Sequence, residues 1–130
     1  MSEAVFDASA VLAVLNRERG HDVASAGLFG CAMSTVNYSE VLKKVVEAGG
    51  DLAVAESHLA RQNIELFSFD EADSIKAAEI WPECKPLGLS LGDRACIALG
   101  LRLDLPLVTA DGNMKKVNLP IEVELIRGDK

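Results

Sequence analysis

Short apolar runs of strand type alternate along this chain with longer segments of helical periodicity, and few folds accommodate that order. Glu3 to Phe6 reads as a strand, and a helix from about Ala8 to Arg17 carries Val11, Leu12, Val14 and Leu15 on one face. A short helix around Asp22 to Leu28 precedes a second strand, Cys31 to Ser34. Ser34 or Thr35 caps a helix reaching Glu47, which Gly49-Gly50 terminates, and Asp51 caps the next, to about Arg61. Ile64 to Phe69 alternates as a third strand, and Asp70 caps a helix to about Trp81-Pro82. Pro82, Pro86 and Gly88 mark a loop before a helix from Leu91 to about Arg102. Pro106 to Thr109 is a fourth strand and Ile121 to Leu125 a weaker fifth. Such alternation argues for an α/β fold with a mostly parallel sheet covered by helices on both faces. In such sheets ligands bind beyond the carboxyl ends of the strands, where the strand order reverses.

The 130 residues suit one domain, residues 1–130, with no linker, repeat or low-complexity tract. Only 5% of residues are aromatic, so the core is aliphatic. The longest apolar stretches, such as Ala10 to Leu15, are too short to span a bilayer, and no basic segment followed by an apolar core opens the chain. Cys31, Cys84 and Cys96 are odd in number and lack close CxxC pairing, which argues against a disulfide framework or a zinc site and for reduced cytoplasmic thiols. His21 and His58 are isolated and read as surface residues. A net charge of −7 argues against holding nucleic acid by a general basic surface. It does not exclude a nuclease whose own site carboxylates supply part of that charge, and it suits a basic protein partner.

Four carboxylates sit at the joints of the pattern. Asp7 ends the first strand and Asp111 follows the fourth, both at carboxyl ends, while Glu40 and Asp93 lie in or at the start of helices. Each has a plain alternative. Asp7 precedes a helix and fits an N-cap; Asp111, followed by Gly112 and Asn113, fits one too. Ser90-Leu91-Gly92-Asp93 matches a capping box. Yet Asp93 also projects beside Cys96, Ile97 and Gly100, a face that reads as buried, where an ionised carboxylate needs a partner, a metal or a shifted pKa. Glu40 falls opposite the apolar stripe of Tyr38, Val41, Leu42, Val45 and Val46, together with Asn37, Lys43, Lys44 and Glu47. A solvated face and a polar cleft look the same in that projection. Gathered at one rim, the four acids would repel one another and call for a hard cation.

Other polar residues are weaker candidates. Ser9, Asn37, Ser90 and Thr109 could hold water, metal ligands or phosphate, although local capping and turn bonds explain each singly. Arg94 fits an ion pair with Asp93 or a phosphate contact. Lys43, Lys44, Lys115 and Lys116 read as surface charge, with guidance of a polyanion as the alternative. Glu65, Glu71, Asp73, Glu79, Glu122 and Glu124 need no role. There is no GxxxxGK[ST] loop, no GxSxG elbow and no GxGxxG fingerprint.

In order, four local patterns are Phe6-Asp7-Ala8-Ser9-Ala10, Ser34-Thr35-Val36-Asn37-Tyr38-Ser39-Glu40-Val41, Ser90-Leu91-Gly92-Asp93-Arg94-Ala95-Cys96-Ile97-Ala98-Leu99-Gly100 and Leu107-Val108-Thr109-Ala110-Asp111. Together they resemble the PIN-domain family, and within it the VapC-type toxins of toxin–antitoxin pairs, over essentially the whole chain. The resemblance implies a three-layer α/β/α sandwich around a parallel sheet. It further implies a Mg²⁺- or Mn²⁺-dependent endoribonuclease, with Asp7, Glu40, Asp93 and Asp111 as catalytic, metal-binding acids and Ser9, Asn37 and Thr109 as polar supports. A cognate antitoxin, an RNA substrate, a homodimer and a cytoplasmic setting belong to the same expectation. After Asp111 come Gly112, Asn113 and Met114, where many relatives place a basic or bulky residue, which leaves one bound ion or two as open alternatives.

Two rival readings follow. A PIN-like binding module without catalysis would fold but show no metal-dependent RNA cleavage; the presence of all four acids counts against it. A phosphatase or receiver-like protein acting through a phospho-aspartate would need a neighbouring acid or a suitably placed lysine beside its nucleophile, which Asp7-Ala8-Ser9 does not offer.

Overall fold

The computed structural model describes residues 2–127. Five short strands, β1 (Val5–Phe6), β2 (Ala32–Ser34), β3 (Glu65–Phe67), β4 (Leu107–Thr109) and β5 (Val123–Leu125), form one sheet in the order β3-β2-β1-β4-β5. Every pairing is parallel, with Val5 opposite both Ala32 and Leu107. The order grows outward from β1 to β3, then jumps back across β1 to β4. The strand order therefore reverses between β1 and β4, the place where open α/β sheets form a crevice.

Eight α-helices connect and cover the strands: α1 (Ala8–Leu15), α2 (His21–Leu28), α3 (Thr35–Glu47), α4 (Leu52–Ala60), α5 (Glu71–Glu79), α6 (Trp81–Cys84), α7 (Leu91–Leu103) and α8 (Gly112–Lys115). Alternating strand residues feed two cores. Phe6, Met33 and Val108 pack with Val11, Leu28, Val41 and Leu59, from α1 to α4, on one face. Val5, Ala32 and Leu107 pack with Ile80, Cys84, Ile97, Leu99 and Met114 on the other. The result is the α/β/α sandwich, and α1 and α2 serve as core walls. Because β1, β2 and β4 are covered on both faces they read as continuous apolar runs, whereas the edge strands β3 and β5 keep exposed residues.

Helix ends follow the capping chemistry. Asp7, Ser34, Asp51, Asp70, Ser90 and Asp111 each accept a backbone N–H in the first turn of the helix they precede. Gly49, at φ +82°, turns the chain out of α3 in a left-handed conformation that a side chain would strain.

Two stretches differ from the sequence reading. The helix expected to run to Trp81-Pro82 stops at Glu79, because Pro82 offers no N–H and its ring would clash with the carbonyl of Ala78. A new turn, α6, then starts at Trp81 with Pro82 in the first turn, where no N–H is missed, and a 3-10 turn follows at Lys85–Leu87. The segment expected to be a loop is thus largely helical. The Asp111-Gly112-Asn113 turn extends into the single helical turn α8. No helix among the described residues is long and apolar enough to cross a membrane.

Candidate active site

The carboxyl ends of β1 and β4 open into a cavity of about 500 Å³, and Asp7, Asn37, Glu40, Asp93 and Asp111 all line it. Asp7 comes from the end of β1, Asp111 from the end of β4, Asp93 from the first turn of α7, and Asn37 with Glu40 from α3. Four carboxylates remote in sequence are therefore brought to one crevice at the switch point. The capping role weighed for three of them is real, and it coexists with their place in the cavity. Asp7 Oδ1 accepts the Ala10 N–H at 3.0 Å, Asp111 Oδ1 accepts the Asn113 N–H at 2.9 Å, and Asp93 completes a capping box with Ser90. Capping fixes each side chain's direction at little entropic cost and leaves lone pairs for the cavity.

Asp7 is almost entirely buried, at 3% exposure. Ser9 Oγ donates to its Oδ1 at 2.7 Å and Thr109 Oγ1 to its Oδ2 at 2.5 Å. Thr109 in turn accepts the Asp111 N–H at 3.0 Å, and Ser9 accepts the Ala110 N–H at 2.9 Å, so the two hydroxyls tie the ends of β1 and β4 together. These donors favour the ionised carboxylate, but burial outweighs them, and the nearby Asp93 charge adds to it. The Asp7 pKa is pushed from 3.8 up to about 6. Burial also raises Asp93; the Ser90 hydrogen bonds oppose that and the Asp111 charge reinforces it. Among the described residues none of the four acids forms an ion pair with a lysine or arginine. The site concentrates negative charge, and the two lysines at its wall, Lys43 and Lys44, pair with Glu47 and not with these acids.

On α3 the polar face is a cleft. Asn37, placed on the polar side by projection, is 1% exposed; its Nδ2 donates to the Gly92 carbonyl at 3.0 Å and to Glu40 Oε1 at 3.1 Å. Both acceptors lack hydrogens to give, which fixes the orientation of the amide. Asn37 Oδ1 is then buried without a partner. Glu40 is exposed towards the cavity, and Ser39, Lys43 and Lys44 also line it. Both lysines lie within reach of Glu47, at 3.1 and 3.6 Å.

Other sequence candidates stand elsewhere. Arg94 turns away from the acids and donates from Nη1 to the Ala77 carbonyl at 2.9 Å, with Nε buried and unpartnered, so it is not an ion pair for Asp93. Its position follows from helix geometry, since adjacent residues diverge by about 100° around a helix. Lys115 donates to the Val123 carbonyl at 2.6 Å. Asp73, given no role by its amphipathic pattern, is 2% exposed and accepts Arg102 Nε at 2.9 Å and Nη2 at 3.2 Å. Pairing across 29 positions leaves no local sequence signal. The three cysteines are buried and free, and burial pushes the Cys31 thiol up to about 12.

The donor set is all oxygen: four carboxylates and the unpartnered amide oxygen of Asn37. That chemistry fits a hard cation. Among the described residues, no three of the acids close on a common point as a ready-made cage. Mg²⁺ accepts such an arrangement, because it retains several waters and needs only one or two direct carboxylates, the others acting through water. A closed Ca²⁺ or Zn²⁺ cage is a poorer fit.

Comparison with known proteins places this geometry in context. Residues 4–119 match the family model described as the PIN domain. No curated protein matches the chain. Among solved structures, a toxin–antitoxin complex from Klebsiella pneumoniae aligns over 95% of this chain and 98% of its own, at 18% identity and a TM-score of 0.75. DNA-bound VapBC from Salmonella typhimurium aligns over 98% and 100%, at 17% identity and a TM-score of 0.73. VapBC2 from Rickettsia felis, bound to a promoter fragment, aligns over 94% and 97%, at 16% identity and a TM-score of 0.72. At these identities the likeness is one of fold.

Proposed function

The chain belongs to the PIN-domain family, and from that premise we propose that it is a Mg²⁺-dependent endoribonuclease acting as the toxin of a toxin–antitoxin pair. One observation carries the reading: four carboxylates, at the end of β1, on α3, on α7 and at the end of β4, meet in one crevice, and among the described residues none of them is ion-paired. A site of this kind costs folding energy and has no structural use that an amide or a hydroxyl would not serve as well.

Mg²⁺, with Mn²⁺ as the alternative ion, would be held by Asp7, Asp93, Asp111 and Glu40, directly or through water, with Glu40 at the cavity's exposed side. The bound ion supplies Lewis acidity, lowering the pKa of water and offsetting charge on the phosphoryl oxygens. Glu40, exposed and held by Asn37, is positioned to accept a proton from the attacking water. Ser9 and Thr109 keep Asp7 oriented by committing their hydroxyl hydrogens to it. Lys43 and Lys44 stand at the cavity wall where a phosphate chain would pass. In-line attack would leave 3′-hydroxyl and 5′-phosphate ends.

The fold neighbours described as toxin–antitoxin and VapBC complexes support a protein partner that restrains this activity. Such an antitoxin would lay an apolar helix or tail beside the site and bring an Arg or Lys to the unpaired acids. A homodimer in the cytoplasm is part of the same reading. The test is cleavage of whole-cell RNA by the purified protein, with and without EDTA, beside Asp93→Asn. Cleavage is expected only for wild type with Mg²⁺ or Mn²⁺; activity that survives both EDTA and the substitution refutes the proposal. A folded protein that cleaves no RNA with either ion would favour the silent binding module.

A further inference from the structure

Gly92 occupies the second position of α7, between Leu91 and Asp93, in ordinary helical conformation. Backbone freedom therefore does not explain a glycine there, and helices are weakened by glycine relative to alanine. Space does explain it. A Cβ built on Gly92 would fall 2.7 Å from both Cδ and Oε1 of Glu40 and closer still to Oε2, inside any permissible contact. The Glu40 carboxylate lies in the volume where the side chain of residue 92 would be.

A second observation fixes the same carboxylate from its other side. Asn37, one turn before Glu40 on α3, splits its two amide hydrogens between Glu40 Oε1 and the Gly92 carbonyl. Gly92 thus acts twice: its carbonyl anchors the amide that grips Glu40, and its missing Cβ leaves the carboxylate room. We infer that Gly92 is a positioning residue that, with Asn37, holds Glu40 at the acidic cavity where α3 crosses α7. The inference deepens the enzymatic reading and rests on it for the role of Glu40, but not for the cradle itself.

Glu40 is exposed, so a methyl group at position 92 has an easy outlet: the carboxylate swings away into solvent. The helix then gains alanine's propensity while the site loses its acid. Stability and function should move in opposite directions, which a merely structural glycine would not produce.

The test is a cycle of Gly92→Ala, Glu40→Asp and the double variant, with Glu40→Ala and Gly92→Ala/Glu40→Ala as controls. Thermal unfolding without metal and Mn²⁺ titration of the purified full chain are both read. Gly92→Ala is expected to keep or raise the Tm and to weaken Mn²⁺ binding about 10-fold, the scale on which groups that orient metal ligands act. In the Gly92→Ala background, Glu40→Asp should cost little more, so the two effects do not multiply. Gly92→Ala should raise the Tm more when residue 40 is alanine than when it is glutamate. A lowered Tm for Gly92→Ala, unchanged Mn²⁺ affinity, or effects that simply multiply would overturn the inference. If wild type binds no Mn²⁺, the enzymatic reading and the role given to Glu40 both fall. The dependence of the Tm on both positions would then still decide whether Gly92 shapes the cradle.

Discussion

Asp7 and Asp73 are buried to nearly the same degree, at 3% and 2% exposure, but they sit in opposite electrostatic settings. Asp73, in the first turn of α5, receives both arms of the Arg102 guanidinium, which also lies 5.6 Å from the centre of the Phe67 ring. Its charge is matched by a fork of two hydrogen bonds, the arrangement that lets a carboxylate leave water. Asp7 receives two hydroxyls and one backbone N–H, all neutral donors, and faces Asp93. The fold thus has the means to neutralise a buried acid and uses them at α5–α7, away from the cavity. At the crevice, among the described residues, no arginine or lysine meets these acids, and Lys43 and Lys44 at its wall pair with Glu47. Unpaired acids in one region beside a fully paired acid in another mark where an external cation is expected.

The difference can be broken most severely at Asp7. A carboxyl whose folded pKa is raised binds its proton more tightly in the native state than in the unfolded chain. Its stability cost is absent below about pH 4, grows as pH rises, and is complete above about pH 6. A shift from 3.8 to about 6 corresponds to roughly 3 kcal/mol at neutral pH. Asp7→Asn keeps a good cap and removes the charge. The metal-free variant should therefore be more stable than wild type at pH 7, by up to about 3 kcal/mol in urea titrations, and indistinguishable at pH 4. RNA cleavage by the same variant should fall by a factor on the order of 100 or more.

At the other site the same operation should have the reverse effect. Arg102→Ala leaves Asp73 buried and unpaired, and should cost roughly 2–4 kcal/mol of stability. Activity per folded molecule should stay at the wild-type level. If Arg102→Ala instead lowered kcat without loss of stability, the division into a structural and a functional carboxylate would be wrong.

A smaller effect sharpens the account of Asp7 itself. Thr109→Val removes the 2.5 Å donor and preserves shape, so the Asp7 pKa should rise further and stability at pH 7 should fall by about 1 kcal/mol. A carboxyl-carbon NMR titration would show the rise; an unchanged midpoint would mean that Thr109 does not hold the charge.

Much of this fold was legible because strands buried on both faces and capped helices leave local signatures. Val5-Phe6 and Leu107-Val108 announce themselves as apolar runs, and Ser34, Asp51, Asp70 and Ser90 as caps. Where two local rules competed, the pattern misled: Pro82 and Pro86 suggested a loop, but prolines in the first turn of a helix lose nothing. The site was harder. Asp7, Asp93 and Asp111 carry sequences that capping explains fully, and only the topology shows the capped ends of α1, α7 and α8 meeting at one crevice. Asn37 and Glu40 share a polar face on any helical wheel, yet one is buried and the other exposed, because α7 crosses α3 at Gly92 and covers only part of that face. The Asp73–Arg102 pair and the small size of residue 92 belong to helix–helix contacts, which no local pattern records.

A crevice completed by a divalent cation should bind one in the absence of RNA. Calorimetric titration of Mn²⁺ into the metal-free protein at pH 6, in buffers of different ionisation enthalpy, measures that binding. Wild type should bind saturably with net proton release, since Asp7 is then partly protonated and must ionise. Binding should be at least about 10-fold weaker for Asp93→Asn and unchanged for Arg102→Ala. Absence of binding by wild type, or equal binding by Asp93→Asn, would show that the crevice is not a cation site.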